Sequence, residues 1–467
     1  MNSITNKILK VVNPYDLSPI GSVTLTDWKT IDHHLDTALS LHKDHSARLP
    51  KHQRISILKN TINSLEQQAD ELAFLIANEG GKPLIDARIE VGRAIEGIQI
   101  CIETLSQMAG QEIPMGHTVT STNRLAFTTH EPIGPVVAVS AYNHPLNLIV
   151  HQVAPAIATG CPVLVKPADD TPLSCQRFVD ILYAAGLPKE WCRFVPCDIP
   201  TAEKMVTDPR VAFFSFIGSA KVGWMLRSKL APGTRCALEH GGAAPVIIDD
   251  SANLDAMLPA LLKGGFYHSG QVCVSVQRVF APQQQAQTIA QTLADLADRL
   301  IVGNAVEEQT QCGPLIRPQE VERVAQWVDE AVSQGAQLLC GGKKLSTTTY
   351  APTVLLNPPP DAKVSVQEIF GPVVCIYSYD SLDTALKQAN SLPFAFQASI
   401  FSNALDVTLK CVQQLDASAV MVNDHTAFRV DWMPFSGRRQ SGYGTGGIAQ
   451  TMHDMMQEKM VVINGMS

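Results

Sequence analysis

The stretch Val136-Val137-Ala138-Val139-Ser140 decides the fold of this 467-residue chain. It is a short, mostly β-branched apolar run, which predicts a strand buried on both faces. Pro145 then predicts the start of a helix and Gly160 its end. The apolar run at 162–165 predicts a second strand, so strand, helix and strand follow each other as in a right-handed βαβ unit of a parallel sheet.

The same alternation continues on both sides of this unit. Upstream, residues 51–79 and 86–109 have apolar positions at helical spacing. Downstream, the pattern predicts further helices and strands, which are a helix from 172 to about 185, strands at 211–216 and 246–249, helices at 252–268, 285–300 and 318–334, and strands at 373–377 and 419–422. We therefore predict two α/β domains, and an extended arm made from 114–131 and the β-branched C-terminal run 459–463.

Composition narrows the function. The formal net charge is −8, and no run of Lys and Arg reaches five residues, so binding to nucleic acid is not expected. No stretch of eighteen apolar residues occurs, and the N-terminus lacks a signal-peptide layout, so we expect neither a membrane association nor export. The eleven cysteines include no Cys-x-x-Cys pair. This usage favours reduced thiols in a cytoplasmic protein without a metal site.

Two groups suited to covalent chemistry on an aldehyde occur in glycine-flanked segments. Cys273 lies in Ser-Gly-Gln-Val-Cys-Val-Ser (269–275), and Glu239 precedes Gly241-Gly242. A thiolate can attack the carbonyl, and a carboxylate can activate the water that releases the acid. Each residue also has an ordinary interpretation, a buried structural thiol for Cys273 and a capping or surface carboxylate for Glu239. Gly270-Gln271 favours a loop at Cys273.

Two segments after strands are candidates for a nucleotide. Lys166 and Asp169 follow the strand at 162–165, where they can bind ribose hydroxyls or form an exposed ion pair. Gly218-Ser219 stands between a strand and a helix, where free amides suit a phosphate or a tight turn alone.

Two more segments add polar groups. Asn143 lies between a strand and a helix, and its amide can donate to an oxyanion, cap the helix, or do both. Glu368 precedes Phe370-Gly371-Pro372, where the acid can hold a second ribose and the ring can lie against a nicotinamide.

Taken in order along the chain, these segments resemble the aldehyde dehydrogenase superfamily over roughly residues 12–463. The matching segments are Asn13-Pro14, Asn143-x-Pro145, Lys166-Pro167-Ala168, Gly218-Ser219, Glu239-x-Gly-Gly, Gly270-Gln271-x-Cys273, Glu368-x-Phe370-Gly-Pro, and Pro434-Phe435-Ser436-Gly437 with Ser441-Gly442.

The resemblance implies a role for each position. Cys273 would be the nucleophile, Glu239 the general base, and Asn143 the oxyanion donor together with the Cys273 backbone amide. The cofactor would be held by Lys166 and Asp169 at the adenine ribose, Gly218 and Ser219 at the pyrophosphate, and Glu368 with Phe370 at the nicotinamide riboside.

The resemblance also implies an architecture. Residues 1–113 and 132–240 would form a Rossmann-like NAD-binding domain, and 241–437 an α/β catalytic domain. Segments 114–131 and 455–467 would form a β-arm that joins subunits of a homodimer or homotetramer.

Several positions depart from the common family pattern. His240 stands where leucine is usual, Ala243 where lysine or asparagine is frequent, and Tyr142 where tryptophan is common. Gln152 replaces a lysine that lines the cleft in many members. The Arg-Glu that often follows Ser-Gly-x-Gly is missing after Gly444.

Two expectations concern what the protein binds. A carboxylate at Asp169 would repel the 2′-phosphate of NADP, which favours NAD. Arg429 lies in a segment that lines the substrate tunnel in relatives, and His144 and His151 hold tunnel-wall helix positions. A cation there can pair with a carboxylate, sulfonate or phosphonate on a small aldehyde. Arg429 can instead pair with Asp431 or another acid and only order its loop.

Three functions follow from these residues. The first is NAD-dependent oxidation of an aldehyde to a carboxylic acid through a thiohemiacetal and a thioester. The second is an acylating enzyme that passes the thioester to coenzyme A, against which Glu239 argues. The third is a catalytically silent nucleotide-binding or structural oligomer, against which Cys273, Glu239 and Asn143 together argue.

Overall fold

The computed structural model describes residues 7–465, and within them the chain forms fifteen α-helices and twenty strands. Residues 1–6 of the predicted segment 1–113 and residues 466–467 of the predicted segment 455–467 lie outside the described residues. The helices are α1 (Trp28–Lys43), α2 (Lys51–Gln67), α3 (Ala69–Gly80), α4 (Leu84–Gln107), α5 (Asn147–Thr159), α6 (Pro172–Ala184), α7 (Ile199–Val206), α8 (Ala220–Arg227), α9 (Leu254–Phe266), α10 (Ala286–Ala297), α11 (Pro318–Ser333), α12 (Lys363–Val366), α13 (Leu382–Ala389), α14 (Leu405–Gln414) and α15 (Ile448–Asp454).

The strands alternate with these helices over most of the chain. They are β1 (Ile8–Val12), β2 (Pro19–Thr24), β3 (Glu112–Ile113), β4 (Arg124–Pro132), β5 (Val136–Val139), β6 (Val163–Lys166), β7 (Cys192–Phe194), β8 (Phe213–Ile217), β9 (Arg235–Glu239), β10 (Ala244–Ile248), β11 (Val276–Pro282), β12 (Gln337–Cys340), β13 (Thr353–Leu356), β14 (Val373–Tyr379), β15 (Phe394–Ala395), β16 (Gln397–Phe401), β17 (Ala419–Val422), β18 (Arg438–Arg439), β19 (Gly442–Tyr443) and β20 (Met456–Asn464).

A six-stranded sheet contains the predicted strand at 136–140 as β5, in the order β19-β9-β8-β5-β6-β7. Strands β5 to β9 pair in parallel, and β19 is antiparallel to β9. From the central β5 the chain winds outward to β6 and β7, and then returns to the other side of β5 for β8 and β9. Sheets of this kind bind ligands at the carboxyl ends of the strands, where the winding reverses.

Burial of β5 on both faces explains its sequence. Val136 and Ala138 belong to an apolar cluster with α2 to α6, whereas Val137 belongs to a second cluster with α1, α7 and α8. Alternate residues of a strand point to opposite faces, so helices cover the sheet on both sides. The following helix α5 ends at Gly160, whose φ of +85° is the left-handed conformation of a glycine cap.

A seven-stranded sheet, ordered β12-β13-β14-β11-β10-β16-β17, forms the core of the second unit. The strand predicted at 246–249 is β10, and it pairs with β11 and β16 in this second sheet instead of extending the first. The place beside β8 is taken by β9, which the sequence analysis did not predict. Gly241-Gly242 form the connection by which the chain passes from one sheet to the other.

The two segments predicted to form the arm meet in a three-stranded sheet, ordered β20-β4-β3. Strands β4 and β20 pair antiparallel over nine residues each, from Arg124 opposite Asn464 to Pro132 opposite Met456. Residues 442–454, which the predicted boundaries leave unassigned, return to the first unit, where β19 pairs with β9 and α15 packs on α4 and α5.

The predicted helical stretch 51–79 is two helices, because Gln68 leaves the helical conformation between α2 and α3. Within residues 7–465 no helix is both long enough and apolar enough for a bilayer span.

Candidate active site

A cavity of about 550 Å³ lies where the carboxyl ends of the first sheet face the second unit. It is lined by every residue that the sequence analysis predicted for catalysis and for the cofactor, which are Cys273, Glu239, Asn143, Lys166, Asp169, Gly218, Ser219, Glu368 and Phe370. Two of the three predicted substrate residues, Arg429 and His144, line it as well. His151 does not, and lines a neighbouring cavity of about 30 Å³ instead, because its ring lies behind Arg429 and beside Asp431.

The loop that carries Cys273 begins with an unusual backbone. His268, Ser269 and Gly270 all have positive φ, at +48°, +55° and +71°. Non-glycine residues in this region are strained and persist where neighbouring contacts hold them. One such contact is the Ser269 hydroxyl, which donates to the Gly313 carbonyl at 2.6 Å. The loop is therefore fixed in place before it reaches Cys273.

Gln271 ties this loop to its surroundings. Its side-chain oxygen accepts from the Ile316 backbone amide at 3.0 Å, and its Nε2 donates to the Pro314 carbonyl at 3.2 Å. Its own carbonyl accepts from Nδ2 of Asn143 at 2.9 Å. An asparagine amide has two N–H groups, so Asn143 keeps a second donor beside Cys273. Of its two predicted roles, the structure leaves that of an oxyanion donor open and shows no side-chain cap on α5.

Glu239 is the last residue of β9, and it lies opposite Gly442 of β19. Burial raises the pKa of Glu239, while the charges of Arg429 and Arg93 oppose that rise. The Arg429 Nη1 atom is 3.9 Å from the Glu239 carboxylate. A carboxyl with a raised pKa is a better general base near neutral pH than an exposed one.

Cys273 is half-buried in the cavity wall. Burial and the nearby carboxyl of Glu239 raise the pKa of the Cys273 thiol, and the charge of Arg429 only partly opposes this. The structure therefore favours the protonated thiol at rest, and a proton must leave before the sulfur can attack.

Lys166 and Asp169 form the ion pair that was one of their two predicted arrangements, and their position leaves ribose binding open. The Lys166 ammonium donates to the Asp169 carboxylate at 2.7 Å, yet both residues line the cavity. Lys166 is buried and the Asp169 side chain is half-exposed. At the next strand end, Ser219 is the N-cap of α8, and its side chain makes no capping hydrogen bond within the described chain. The first amides of that helix are therefore free for a phosphate.

Glu368 approaches the cavity through a gap that only glycine leaves open. A Cβ atom on Gly241 would lie 1.6 Å from the Glu368 Oε1 atom. That oxygen is buried and has no hydrogen-bond partner among residues 7–465, and burial raises the pKa of Glu368 to about 8. A buried oxygen without a partner is costly, and a ribose hydroxyl would satisfy it. Phe370 lies beside it and packs edge-on against Tyr142, with ring centroids 5.9 Å apart.

A buried carboxylate, Asp431, organises the substrate end of the cavity. Its oxygens accept from two nitrogens of Arg93 at 2.9 Å each, from Nε2 of His151 at 2.7 Å and from Nδ2 of Asn147 at 3.2 Å. Arg429 makes no ion pair with Asp431 within the described chain, and the one acid within ion-pair distance of it there is Glu239. Of the acids that the sequence offered as partners for Arg429, Asp431 is taken by Arg93, and the acid within ion-pair distance is Glu239.

Burial lowers the pKa of both histidines at this end, which favours their neutral forms. Burial lowers the pKa of His144 well below its ordinary value, and burial together with the charge of Arg429 lowers that of His151 to about 4. The positive charge that the sequence analysis sought here is therefore supplied by arginine, since Arg93 and Arg429 both line the cavity. In the part of the chain that the structure describes, no group of three or more His, Cys, Asp or Glu side chains is placed to hold a metal ion.

Residues 1–461 match the sequence model of the aldehyde dehydrogenase family. The chain belongs to the aldehyde dehydrogenase family. It is 33% identical over 461 residues to 3-sulfolactaldehyde dehydrogenase of Priestia aryabhattai, which covers 98% of this chain and 96% of that protein. The predicted family and the predicted enzyme class are thereby confirmed.

Solved structures of aldehyde dehydrogenases superpose on the whole molecule. Aldehyde dehydrogenase 21 of Physcomitrella patens, in complex with the reaction product succinate, has a TM-score of 0.95 and 33% identity over 99% of this chain and 96% of that one. The glyceraldehyde-3-phosphate dehydrogenase GapN of Methanocaldococcus jannaschii, complexed with NADP, has a TM-score of 0.93 and 32% identity over 99% of this chain and 100% of that one. The predicted fold class, the aldehyde dehydrogenase fold, is confirmed.

The cavity residues that were not predicted from the sequence include Arg93, Asn147 and Tyr267. A signal for Asn147 was present. His144, Asn147 and His151 follow one another at spacings of three and four residues, which places them on one side of a helix. Arg93 had no comparable signal, because a single arginine in an amphipathic helix usually faces solvent.

Two departures from the family pattern have structural consequences. Gln152 donates to the Ser215 hydroxyl at 3.0 Å and to the Val139 carbonyl at 3.2 Å, and lines the small cavity instead of the main one. The Nδ1 atom of His240 lies 2.8 Å from the Gly218 carbonyl. Because a carbonyl oxygen only accepts, Nδ1 carries the hydrogen and donates. His240 therefore ties the turn at Gly218 to the residue after Glu239.

Proposed function

We propose that this dehydrogenase oxidises a small anionic aldehyde to its carboxylic acid with NAD, through a thioester on Cys273. The observation that carries the proposal is that one cavity contains the candidate nucleophile, the candidate base and the strand ends suited to a nucleotide. The same cavity contains Arg429, whose Nε has no hydrogen-bond partner among residues 7–465. Each of these residues has a defined task in the reaction.

Cys273 and Asn143 act in the first step. Cys273 loses its proton, and its sulfur attacks the aldehyde carbon to give a thiohemiacetal. The aldehyde oxygen gains negative charge as this bond forms. The second N–H of Asn143 and the backbone amide of Cys273 are the donors that stabilise this charge.

The cavity residues fit a nicotinamide dinucleotide. Lys166 and Asp169 would hold the adenine ribose, the free amides at Ser219 the pyrophosphate, and the unpartnered oxygen of Glu368 the second ribose. When bound, the nicotinamide ring accepts the hydride that leaves the thiohemiacetal carbon. Glu368 lies close enough to Cys273 for its charge to raise the pKa of the thiol, and Phe370 lines the same cavity.

Glu239 acts in the last step. It takes a proton from a water molecule, and the resulting hydroxide attacks the thioester carbon. The C–S bond then breaks, the carboxylic acid leaves, and Glu239 passes the proton to the Cys273 sulfur, which restores the thiol. One aldehyde, one water and one NAD give one carboxylate, one NADH and two protons. A base in this position supports hydrolysis over transfer to coenzyme A.

Arg429 supports an anionic substrate. Its side chain is about nine-tenths buried, its Nε has no hydrogen-bond partner among residues 7–465, and its guanidinium lies 3.6 Å from the centre of the Phe435 ring. Arg93 is already neutralised by Asp431, so Arg429 is the arginine with free donors. The relatives also support the proposal, since 3-sulfolactaldehyde and succinate are both anions.

Substitution of Arg429 tests the substrate proposal. In Arg429→Gln, kcat/KM for succinic semialdehyde should fall by about 10- to 100-fold, since a hydrogen bond to a charged group is lost. The effect on butanal should be much smaller. Reduction of NAD, followed by absorbance, measures both rates. Arg429→Lys keeps the charge, so its kcat/KM for succinic semialdehyde should lie between those of the unaltered enzyme and Arg429→Gln. An equal loss of kcat/KM for both aldehydes in Arg429→Gln would contradict the proposal.

Asp169 supports NAD as the preferred cofactor, because its carboxylate repels the 2′-phosphate of NADP. We expect kcat/KM for NAD to exceed that for NADP by about tenfold or more, and Asp169→Ser to narrow this ratio. The measurement is the ratio of the two cofactors in each enzyme at one aldehyde concentration. A tenfold preference for NADP in the unaltered enzyme would overturn this assignment.

The arm supports assembly with further copies of this chain. Strand β20 is an edge strand whose residues Met460, Val462 and Ile463 are at least 40% exposed. Strand β17 is an open edge of the seven-stranded sheet, next to exposed leucines of α14. Open apolar edges of this kind are usually covered. A homodimer or homotetramer would cover them.

The eleven free thiols suit a reducing compartment such as the cytoplasm.

A further inference from the structure

Asn147 lines the cavity and carries a hydrogen-bond acceptor that no described residue uses. The residue is 1% exposed. Its Oδ1 atom is buried and has no partner among residues 7–465. A buried acceptor left without a donor costs about 1–3 kcal/mol, so a structure retains one where a ligand or water satisfies it.

The orientation of the Asn147 amide is fixed by its neighbours. Its Nδ2 atom lies 3.2 Å from the Asp431 carboxylate, which can only accept. Burial alone would raise the pKa of Asp431, but the hydrogen bond from His151 and the charge of Arg93 outweigh it and hold that pKa well below its usual range. Asp431 therefore stays ionised. If the amide turned over, its oxygen would face a carboxylate, so Oδ1 remains the free atom.

The backbone at Asn147 is fixed as well. It is the first residue of α5, and its amide donates at 3.0 Å to the buried Glu90, which also accepts from the amide of Leu146 at 2.9 Å. The start of the helix is therefore pinned, and the side chain has little freedom to find another partner.

We infer that Asn147 Oδ1 accepts a hydrogen bond from a hydroxyl group of the substrate, so that the substrate class is a small aldehyde bearing both an anionic group and a hydroxyl group. This rests on the proposed function, in which Arg429 binds the anion. A ligand ammonium would be the other strong donor, but Arg429 lines the same cavity and repels a cation. A hydroxyl is a neutral donor and avoids that repulsion.

Matched aldehydes that differ by one hydroxyl test the inference. The pairs are 3-sulfolactaldehyde with 3-sulfopropanal, and lactaldehyde with propanal. For each pair, the ratio of kcat/KM for the hydroxylated member to that for the other is measured in the unaltered enzyme and in Asn147→Leu. We expect the substitution to lower this ratio by about tenfold in both pairs, because a hydroxyl without an acceptor is then buried. The two aldehydes of a pair also differ in intrinsic reactivity and hydration. These differences cancel because the ratio for the same pair is compared between the unaltered enzyme and the variant.

Two variants separate recognition from a structural role. Asn147→Ser keeps an acceptor and should restore part of the ratio, whereas Asn147→Ala should behave like Asn147→Leu. If Asn147 only supports Asp431, or if a bound water satisfies Oδ1, kcat/KM falls for both members alike, the ratios stay constant, and the inference is overturned. Oxidation of the anionic aldehydes with an unchanged ratio would leave the proposed function standing. Oxidation of none of the four would remove the proposed function itself.

Discussion

Replacing Cys273 by alanine is expected to abolish aldehyde oxidation, with kcat at least about ten thousand-fold lower. The cavity offers no second thiol, since within residues 7–465 Cys273 is the one cysteine that lines it. Without the sulfur no thiohemiacetal forms, and neither Asn143 nor Glu239 has a covalent intermediate to act on. Initial rates of NADH formation at saturating aldehyde and NAD measure the loss.

Two comparisons distinguish loss of chemistry from loss of structure. Cys340 is half-buried like Cys273 but lies on β12, outside the cavity, so Cys340→Ala should keep nearly full activity. Cys273→Ala should still bind NAD and unfold at a temperature close to that of the unaltered enzyme. Iodoacetamide should inactivate the enzyme and modify Cys273, and aldehyde with NAD should protect it. Activity in Cys273→Ala would remove this residue from the mechanism.

Most of the catalytic and cofactor positions could be predicted because they follow strands. Asn143, Lys166 and Gly218 follow or end β5, β6 and β8, three predicted strands that the structure places side by side in one parallel sheet. The carboxyl ends of parallel strands meet at one edge, so a local pattern was enough to bring these residues together. The roles assigned to them stay predictions until activity is measured.

The substrate end could not be predicted in the same way. Arg93 and Asp431 are 338 positions apart, and their ion pair exists only because α4 and the loop after β17 meet at the cavity. From sequence, Arg429 is two positions from Asp431, so Asp431 was one candidate partner for it, and nothing pointed to Arg93. The charge states of His144 and His151 could not be predicted either, because the burial that lowers their pKa values arises only from tertiary packing.

The passage of the chain from the first sheet to the second, through β9, could not be predicted for a different reason. Strand β9 is only half-buried along most of its length, so Arg235-Cys236-Ala237 lacks the apolar run that marked β5. The next run, at 246–249, is fully typical of a buried strand, so the sequence predicts a strand there and none at 235–239. Local pattern identifies a strand, whereas sheet membership depends on long-range pairing.

Glu239→Gln should convert the enzyme from catalytic turnover to a single turnover. Glutamine keeps the size of the side chain at the end of β9 but cannot take a proton from water, so hydrolysis of the thioester should slow by about 10²- to 10⁴-fold. Formation of the thioester uses Cys273 and Asn143, which remain. Rapid mixing with aldehyde and NAD should therefore give a burst of about one NADH per subunit, followed by a slow steady rate.

The identity of the trapped species decides whether Glu239 acts where we place it. Mass spectrometry of the quenched variant should find the acyl group on Cys273, and hydroxylamine should release it as a hydroxamate. Glu368→Gln is the matched control, because it alters another buried carboxyl of the same cavity. It should weaken NAD binding without accumulating a thioester. If Glu239→Gln instead shows no burst and no adduct, the carboxylate is needed before the thioester forms, and its main task would be to deprotonate Cys273, whose pKa burial raises.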